Sequence, residues 1–232
     1  YKHVNFHLLN DDEYEFENKI DETPFIPKGT NEEILDAFYK VASVQEYALL
    51  KRMKHTNAKI IVIGISGGLD STLALLIAVE TLRHMNRPLT DIVAVTMPGF
   101  ATTSRTKDNA TKMMKALGVT MLEKPIALEC QIHFKTIEQD PLNHDITYEN
   151  TQARIRTLIL MNLANKLNGI VLGTGDLSEL ALGWCTYNGD QMSMYGINAG
   201  VPKTLVRFMI KYYALTKHSQ IKDILFDIID TP

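Results

Sequence analysis

A chain of 232 residues, 45% of them hydrophobic, is long enough to bury a full core as one domain of ordinary size. The formal net charge of −3 supplies no basic footprint for nucleic acid, and two cysteines, Cys130 and Cys185, are too few and too far apart for a disulfide framework or a zinc site. No apolar run approaches the ~20 residues needed to cross a bilayer, so no membrane partner is expected, and the scarce cysteines suit the cytoplasm.

Residues 1–30 are polar and acidic, are broken by Pro24, Pro27 and Gly29, and read as a linker or extended arm. Tyr1-Lys2-His3 does not begin a signal peptide, and the lack of an initiator Met leads us to expect part of a longer protein. Asn31 reads as the N-cap of a long amphipathic helix, with Ile34, Leu35, Phe38, Val41 and Leu49 on an apolar face that runs to about Met53. Residues 60–65 form a buried-type strand followed by a helix over 72–80. A second strand over 92–97 leads to a helix near 106–117, and a third strand lies around 119–122. A helix near 150–167 then passes through Asn168-Gly169 into a strand over 170–173, and residues 203–229 read as two more helices. This alternation predicts an α/β fold, a doubly wound parallel sheet with helices on both faces. Ligands of such a sheet lie beyond the carboxyl ends of its strands, so the loops at Ser66, Pro98 and Thr174 are expected to converge.

The most telling stretch is Gly64-Ile65-Ser66-Gly67-Gly68-Leu69-Asp70-Ser71, where a buried strand breaks into a glycine-rich hydroxyl loop and then starts a helix. Adjacent glycines let the backbone approach an anion, the serines add hydroxyl donors, and the following helix aims its positive end at the same spot. A Walker A lysine is absent; Asp70 instead offers a carboxylate suited to a bridging Mg²⁺. That set points to ATP cleaved between its α- and β-phosphates. The seven histidines show no metal-ligand spacing, and none is assigned to catalysis.

The loop resembles that of the adenine-nucleotide α-hydrolase group, the N-type ATP pyrophosphatases, which includes NAD, GMP and asparagine synthetases and tRNA-thiolation enzymes. A second block narrows the resemblance. Glu149-Asn150-Thr151-Gln152-Ala153-Arg154-Ile155-Arg156, the run from Gly173-Thr174-Gly175-Asp176 to Gly183-Trp184, and Thr186-Tyr187-Asn188-Gly189-Asp190 are similar to the NAD synthetase pattern. Pro24-Phe25-Ile26-Pro27 resembles the segment that joins the glutaminase domain to the synthetase domain in glutamine-dependent members. The resemblance spans most of residues 24–205. It implies that residues 31–232 are the synthetase domain, with the family's C-terminal portion incomplete and the glutaminase domain absent, since residues 1–30 hold no Glu, Lys and Cys set.

The activity so implied is ATP-dependent amidation of deamido-NAD to NAD through an adenylated intermediate, with release of AMP and pyrophosphate. The partners are ATP, deamido-NAD and ammonia, from glutamine hydrolysis on another domain or as free ammonium; a homo-oligomer is also implied. Asp70 and Glu179 are matched candidates for Mg²⁺ ligands, and with Lys203 they form the candidate catalytic set; the rival for Glu179 is a solvated first-turn glutamate. Gly64, Ile65, Ser66, Gly67, Gly68, Leu69, Asp70, Ser71, Thr174 and Lys203 match ATP-binding positions. Asn150, Arg154, Glu179, Trp184 and Asp190 match positions for deamido-NAD, with core packing as the rival for Trp184. Arg156 is read as a surface or salt-bridging residue. Met97-Pro98-Gly99 ends the second strand where adenine would lie, and residues 101–104 form a polar loop that could close over ATP. The alternatives are another amide-forming ATP pyrophosphatase, such as a GMP synthetase, or a nucleotide-binding module without catalysis.

Overall fold

The computed structural model describes residues 3–5, 19–100 and 104–231. Residues 1, 2 and 6–18 of the expected arm, and 101–103 of the expected closing loop, lie outside these. Helix α1 (Asn31–Thr56) is capped by Thr30 rather than by Asn31. The Thr30 hydroxyl accepts from the Glu33 amide, and the Glu33 carboxylate accepts from the Thr30 amide at 2.8 Å, so two orphan donors are satisfied reciprocally. Asn31 is therefore the first helical residue. The helix outruns its expected end and stops at Asn57, whose left-handed φ of 54° suits a short polar side chain.

Among the described residues five strands form one parallel sheet in the order β3-β2-β1-β4-β5: β1 (Ile60–Gly64), β2 (Ile92–Thr96), β3 (Thr120–Glu123), β4 (Gly169–Gly173) and β5 (Tyr195–Gly196). Their side chains alternate between two cores. Ile61, Ile63, Ile92, Ala94, Ile170 and Leu172 face α1, α2 (Leu69–His84), α3 (Ser104–Leu117), α7 (Lys203–Leu215) and α8 (Lys222–Ile229). Val62, Val93, Val95 and Val171 face α5 (Ile146–Lys166) on the other side, through Leu160, Met161, Leu163 and Ala164. Each fully buried aliphatic side chain contributes roughly 1.5–3 kcal/mol, which explains why these strands read as unbroken apolar runs. Two-faced burial is the doubly wound arrangement expected from the sequence.

Three elements were not anticipated. Helix α4 (Ala127–Thr136) buries Cys130 and Phe134 with Ile126 in a small cluster against Tyr148; burial pushes the Cys130 thiol pKa up. Helix α6 (Leu177–Leu182) and strand β5 are too short for periodicity to reveal. Among the described residues no helix is long and apolar enough to cross a membrane. The strand order reverses direction at β1, since β2 and β3 lie on one side and β4 and β5 on the other. The crevice beyond the carboxyl ends of β1 and β4 is thus the place where such a sheet receives a ligand.

Candidate active site

The loop that leaves β1 makes the turn expected of it. Gly67 has a φ of 87°, a conformation that strains any residue with a Cβ. The Ser66 and Ser71 hydroxyls lie 3.1 Å apart, and the Ser66 oxygen accepts from the Gly68 amide at 3.2 Å. Helix α2 starts at Leu69, earlier than expected, so Asp70 and Ser71 sit in its first turn. Side chains of Asp145 and Asp176 cap α5 and α6, whereas among the described residues no side chain caps α2, α4, α7 or α8, and of these α2 is the one that follows the glycine loop. Its leading amides, together with the helix dipole, therefore face the loop as a docking point for an anion.

A second loop, leaving β4, brings two carboxylates toward the ammonium that Asp70 of α2 also meets. Lys203 Nζ, at the start of α7, pairs with Asp70 Oδ2 and lies 3.0 Å from Asp176 Oδ2 and 3.4 Å from Glu179 Oε1. Asp176 and Glu179 are fixed relative to each other by a capping box. The Asp176 carboxylate accepts from the Glu179 amide at 2.8 Å, and Glu179 Oε2 accepts from the Asp176 amide at 3.3 Å. Burial pushes the Asp70 carboxyl pKa up, and the pull of Lys203 only partly offsets this because Glu179 and Asp176 repel its charge. Burial also disfavours the Lys203 ammonium, but its hydrogen bonds to Asp70 and Asp176 outweigh that and raise its pKa. The two directions agree, because three acids share one base and the surplus charge is negative. Asp70 Oδ1 is buried without a hydrogen-bond partner among the described residues.

A cavity of about 550 Å³ opens beside this cluster, across the ends of β2, β1 and β4. Its wall includes Ser66, Met97, Pro98, Leu160 and Thr174, so the three loops expected to converge do so. Gly64 and Ile65 also line it, whereas Asp70 and Lys203 lie beyond its lining. A smaller pocket, about 60 Å³, is walled by Glu179 and Cys185 and shares Gly173 and Asp190 with the larger one.

The remaining expected residues gather on the segment 184–190. Asn150 Oδ1 accepts from the Thr186 hydroxyl at 2.8 Å, and Arg154 Nε donates to the Tyr187 carbonyl at 3.0 Å. The Thr186 amide donates to Asp190 Oδ1 at 2.6 Å. Trp184 is 80% exposed, which removes core packing as its role. Arg156 is not the surface residue expected: it is half-buried in the cavity wall, donates to the Met97 carbonyl at 3.3 Å and has no ion-pair partner among the described residues. The reason is the helical turn, which rotates Arg156 toward the sheet while Arg154 points outward. Burial lowers the Arg156 pKa without discharging it. Its guanidinium and the Gln152 amide approach Gly99 so closely that a Cβ there would lie 2.7 Å from each.

Asp176 and Asn198 also escaped the sequence reading. The spacing Asp176-x-x-Glu179 is a capping-box signature and could have flagged the first. Nothing local marks Asn198, which is fully buried and reaches both loops.

The fold is that of a doubly wound α/β domain of the adenine-nucleotide α-hydrolase-like kind, and comparison with known proteins is more specific. The NAD synthase family model matches residues 41–222, and the chain belongs to that family. It is 44% identical over 220 residues to a glutamine-dependent NAD(+) synthetase of Mycobacterium leprae (strain TN), an alignment covering 92% of this chain and 32% of that protein. The corresponding protein of Mycobacterium tuberculosis (strain ATCC 25618 / H37Rv) is 42% identical over 221 residues, with the same coverage. The chain thus spans about a third of the length of these curated relatives. Among solved structures, a glutamine-dependent NAD+ synthetase from Acinetobacter baumannii in complex with adenosine diphosphate superposes with a TM-score of 0.75 at 30% identity, covering 83% of this chain and 36% of that one. An NMN synthetase from Francisella tularensis has the same fold, with a TM-score of 0.72 at 23% identity, covering 84% of this chain and 74% of that one.

Proposed function

We propose that this chain is the synthetase domain of an enzyme that amidates deamido-NAD to NAD at the expense of ATP. The observation that carries the reading is the meeting of an uncapped helix amino end, a positive-φ glycine loop and a carboxylate-rich cluster around Lys203 at the switch point of the sheet. A nicotinate carboxylate is a poor acyl donor. Its attack on the α-phosphate of ATP forms a mixed anhydride and expels pyrophosphate, and ammonia then attacks the acyl carbon and displaces AMP. Several negative oxygens must meet in line, so the protein's task is positioning and neutralisation of charge.

In this reading the Ser66 to Ser71 loop and the amino end of α2 hold the leaving pyrophosphate, Thr174 and the cavity beneath it take the rest of ATP, and Lys203 neutralises phosphate charge. Asp70 and Glu179 would hold Mg²⁺. The fit rests on the unpartnered Asp70 Oδ1 and on three carboxylates facing one ammonium. Among the described residues no three His, Cys, Asp or Glu side chains form a ready-made metal cage. Mg²⁺ commonly takes one or two carboxylates and completes its shell with phosphates and water. Bound there, the ion would supply charge neutralisation on the phosphate oxygens.

Asn150, Arg154, Trp184 and Asp190 are the proposed contacts for deamido-NAD, with the exposed Trp184 indole free to stack on a pyridine ring. The exposed side chains of Leu182 and Tyr187 support a homo-oligomer, and the free thiols of Cys130 and Cys185 support a cytoplasmic location. A GMP synthetase or a non-catalytic module is not favoured, given the family membership. The test is to mix the chain with ATP, Mg²⁺, deamido-NAD and ammonium and to follow AMP, pyrophosphate and NAD. Equimolar release of all three is expected; ADP and phosphate as products would overturn the reading.

A further inference from the structure

Asn198 lies between β5 and α7 and is wholly shielded from solvent. Its side-chain amide donates to two main-chain carbonyls from different loops, Asp70 O at 3.0 Å and Thr174 O at 3.1 Å. A primary amide has two N–H donors, and both are spent here. Gln45, buried on α1, fixes which way the amide points: its Nε2 donates to Asn198 Oδ1 at 3.3 Å and to the Ile197 carbonyl at 3.0 Å. With its oxygen held by a donor, Asn198 presents its nitrogen to the two carbonyls.

The two carbonyls belong to the two halves of the site. Asp70 follows the glycine loop, Thr174 opens the segment that carries Asp176 and Glu179, and the segment of Asn198 runs on into Lys203. A side chain that borders neither cavity therefore sets the spacing of all three segments whose charges meet at the Lys203 ammonium. We propose that Asn198, oriented by Gln45, is a positioning residue that keeps the pyrophosphate loop in register with the Asp176–Glu179 loop during adenylation. The role rests on the proposed function. A ligand loop displaced by about 1 Å can cost on the order of 10² in rate, because in-line geometry is lost while binding of each loop to its own ligand persists.

The test uses the full chain with ATP, Mg²⁺, deamido-NAD and ammonium, at temperatures where circular dichroism shows every variant folded. Asn198→Asp keeps size and shape but puts one carboxylate oxygen, in place of the amide nitrogen, against two carbonyls. It should lower kcat by about tenfold or more while the KM for ATP stays within about threefold. Gln45→Met leaves Asn198 its donors but frees the amide to rotate, and should lower kcat by a smaller factor. The double variant should be no worse than Asn198→Asp, since both act through one contact chain. An Asn198→Asp protein with wild-type kcat, or one whose loss lies entirely in the KM for ATP, overturns the role. If Asn198→Asp does not fold, Gln45→Met carries the test, and an unchanged kcat in it overturns the role. A wild-type chain that forms no NAD overturns the proposed function and this role with it; an active wild type with unaffected variants overturns this role alone.

Discussion

At the amino ends of α2 and α7, Asp70, Asp176 and Glu179 share the ammonium of Lys203; at the carboxyl ends of the same helices, Glu46 and Glu80 meet Lys217, Arg83, His84, His218 and Tyr213. In the distal cluster every oxygen of Glu46 has a donor: Oε1 accepts from the Tyr213 hydroxyl at 2.8 Å and from Lys217 at 2.6 Å, and Oε2 pairs with His84 at 2.8 Å. Burial and the Glu46 carboxylate push the Tyr213 hydroxyl pKa well up, which keeps it a donor. Burial alone would raise the Glu80 pKa, yet hydrogen bonding to His218 and the charges of His218, Arg83 and Lys217 bring it below the ordinary value. The proximal cluster is the reverse, with Asp70 raised and one of its oxygens left bare. Although His218 Nδ1 is also buried without a hydrogen-bond partner, the distal carboxylates are matched by cations, and such a charge-compensated network contributes to holding helices together, whereas one with surplus negative charge invites a cation and a polyanion.

The largest effect should come from breaking the compensated cluster. Glu46→Ala leaves the fully buried Tyr213 hydroxyl without an acceptor and takes the nearer carboxylate from the part-buried Lys217, and removal of one partner from a buried charge network typically costs about 3–5 kcal/mol. Denaturant unfolding should register that loss while kcat per folded molecule is kept. In the open cluster, Asp70→Asn and Glu179→Gln should each lower kcat by ~10² or more, since each supplies ~3 kcal/mol of transition-state stabilisation, with the fold retained by circular dichroism. Near-normal turnover at saturating Mg²⁺ would remove the metal role.

Smaller effects sharpen the contrast. Arg154→Ala should raise the KM for deamido-NAD by roughly tenfold and leave that for ATP almost unchanged, because a charge-assisted contact is worth ~1.5–3 kcal/mol. Steady-state kinetics with each substrate varied separates the two; equal weakening would remove Arg154 from the deamido-NAD groove. The least effect concerns pH. Asp70 has a folded pKa raised above its ordinary 3.8, so its charge costs stability once pH rises through the raised value, and that cost is absent below 3.8. Glu80 has a folded pKa below its ordinary 4.5, so it stabilises the fold above 4.5 and loses that contribution as pH falls through the lowered value. At neutral pH Asp70→Asn should melt no lower than the wild type and Glu80→Gln should melt lower, and both differences should shrink as melting curves are repeated at increasingly acid pH.

What could be read from the chain alone was whatever short-range rules govern. Strand runs such as Ile61-Val62-Ile63, the Gly67 turn, the carboxylate at Asp70 and the two closing helices all follow from side-chain periodicity and turn chemistry over a few neighbours. Even the error at Asn31 was local, since Thr30 and Glu33 spell a capping box in sequence. Tertiary structure decided the rest. The order β3-β2-β1-β4-β5 depends on which side of β1 each crossover returns. The rotation of Arg156 into the cavity, the exposure of Trp184, and the junction of Asp70 and Thr174 through Asn198 depend on how helices dock on that sheet. Contacts between residues of separate elements, from 24 positions apart for Asn198 and Thr174 to 128 for Asn198 and Asp70, leave no periodic trace, because their geometry arises only when those elements bury their apolar faces together.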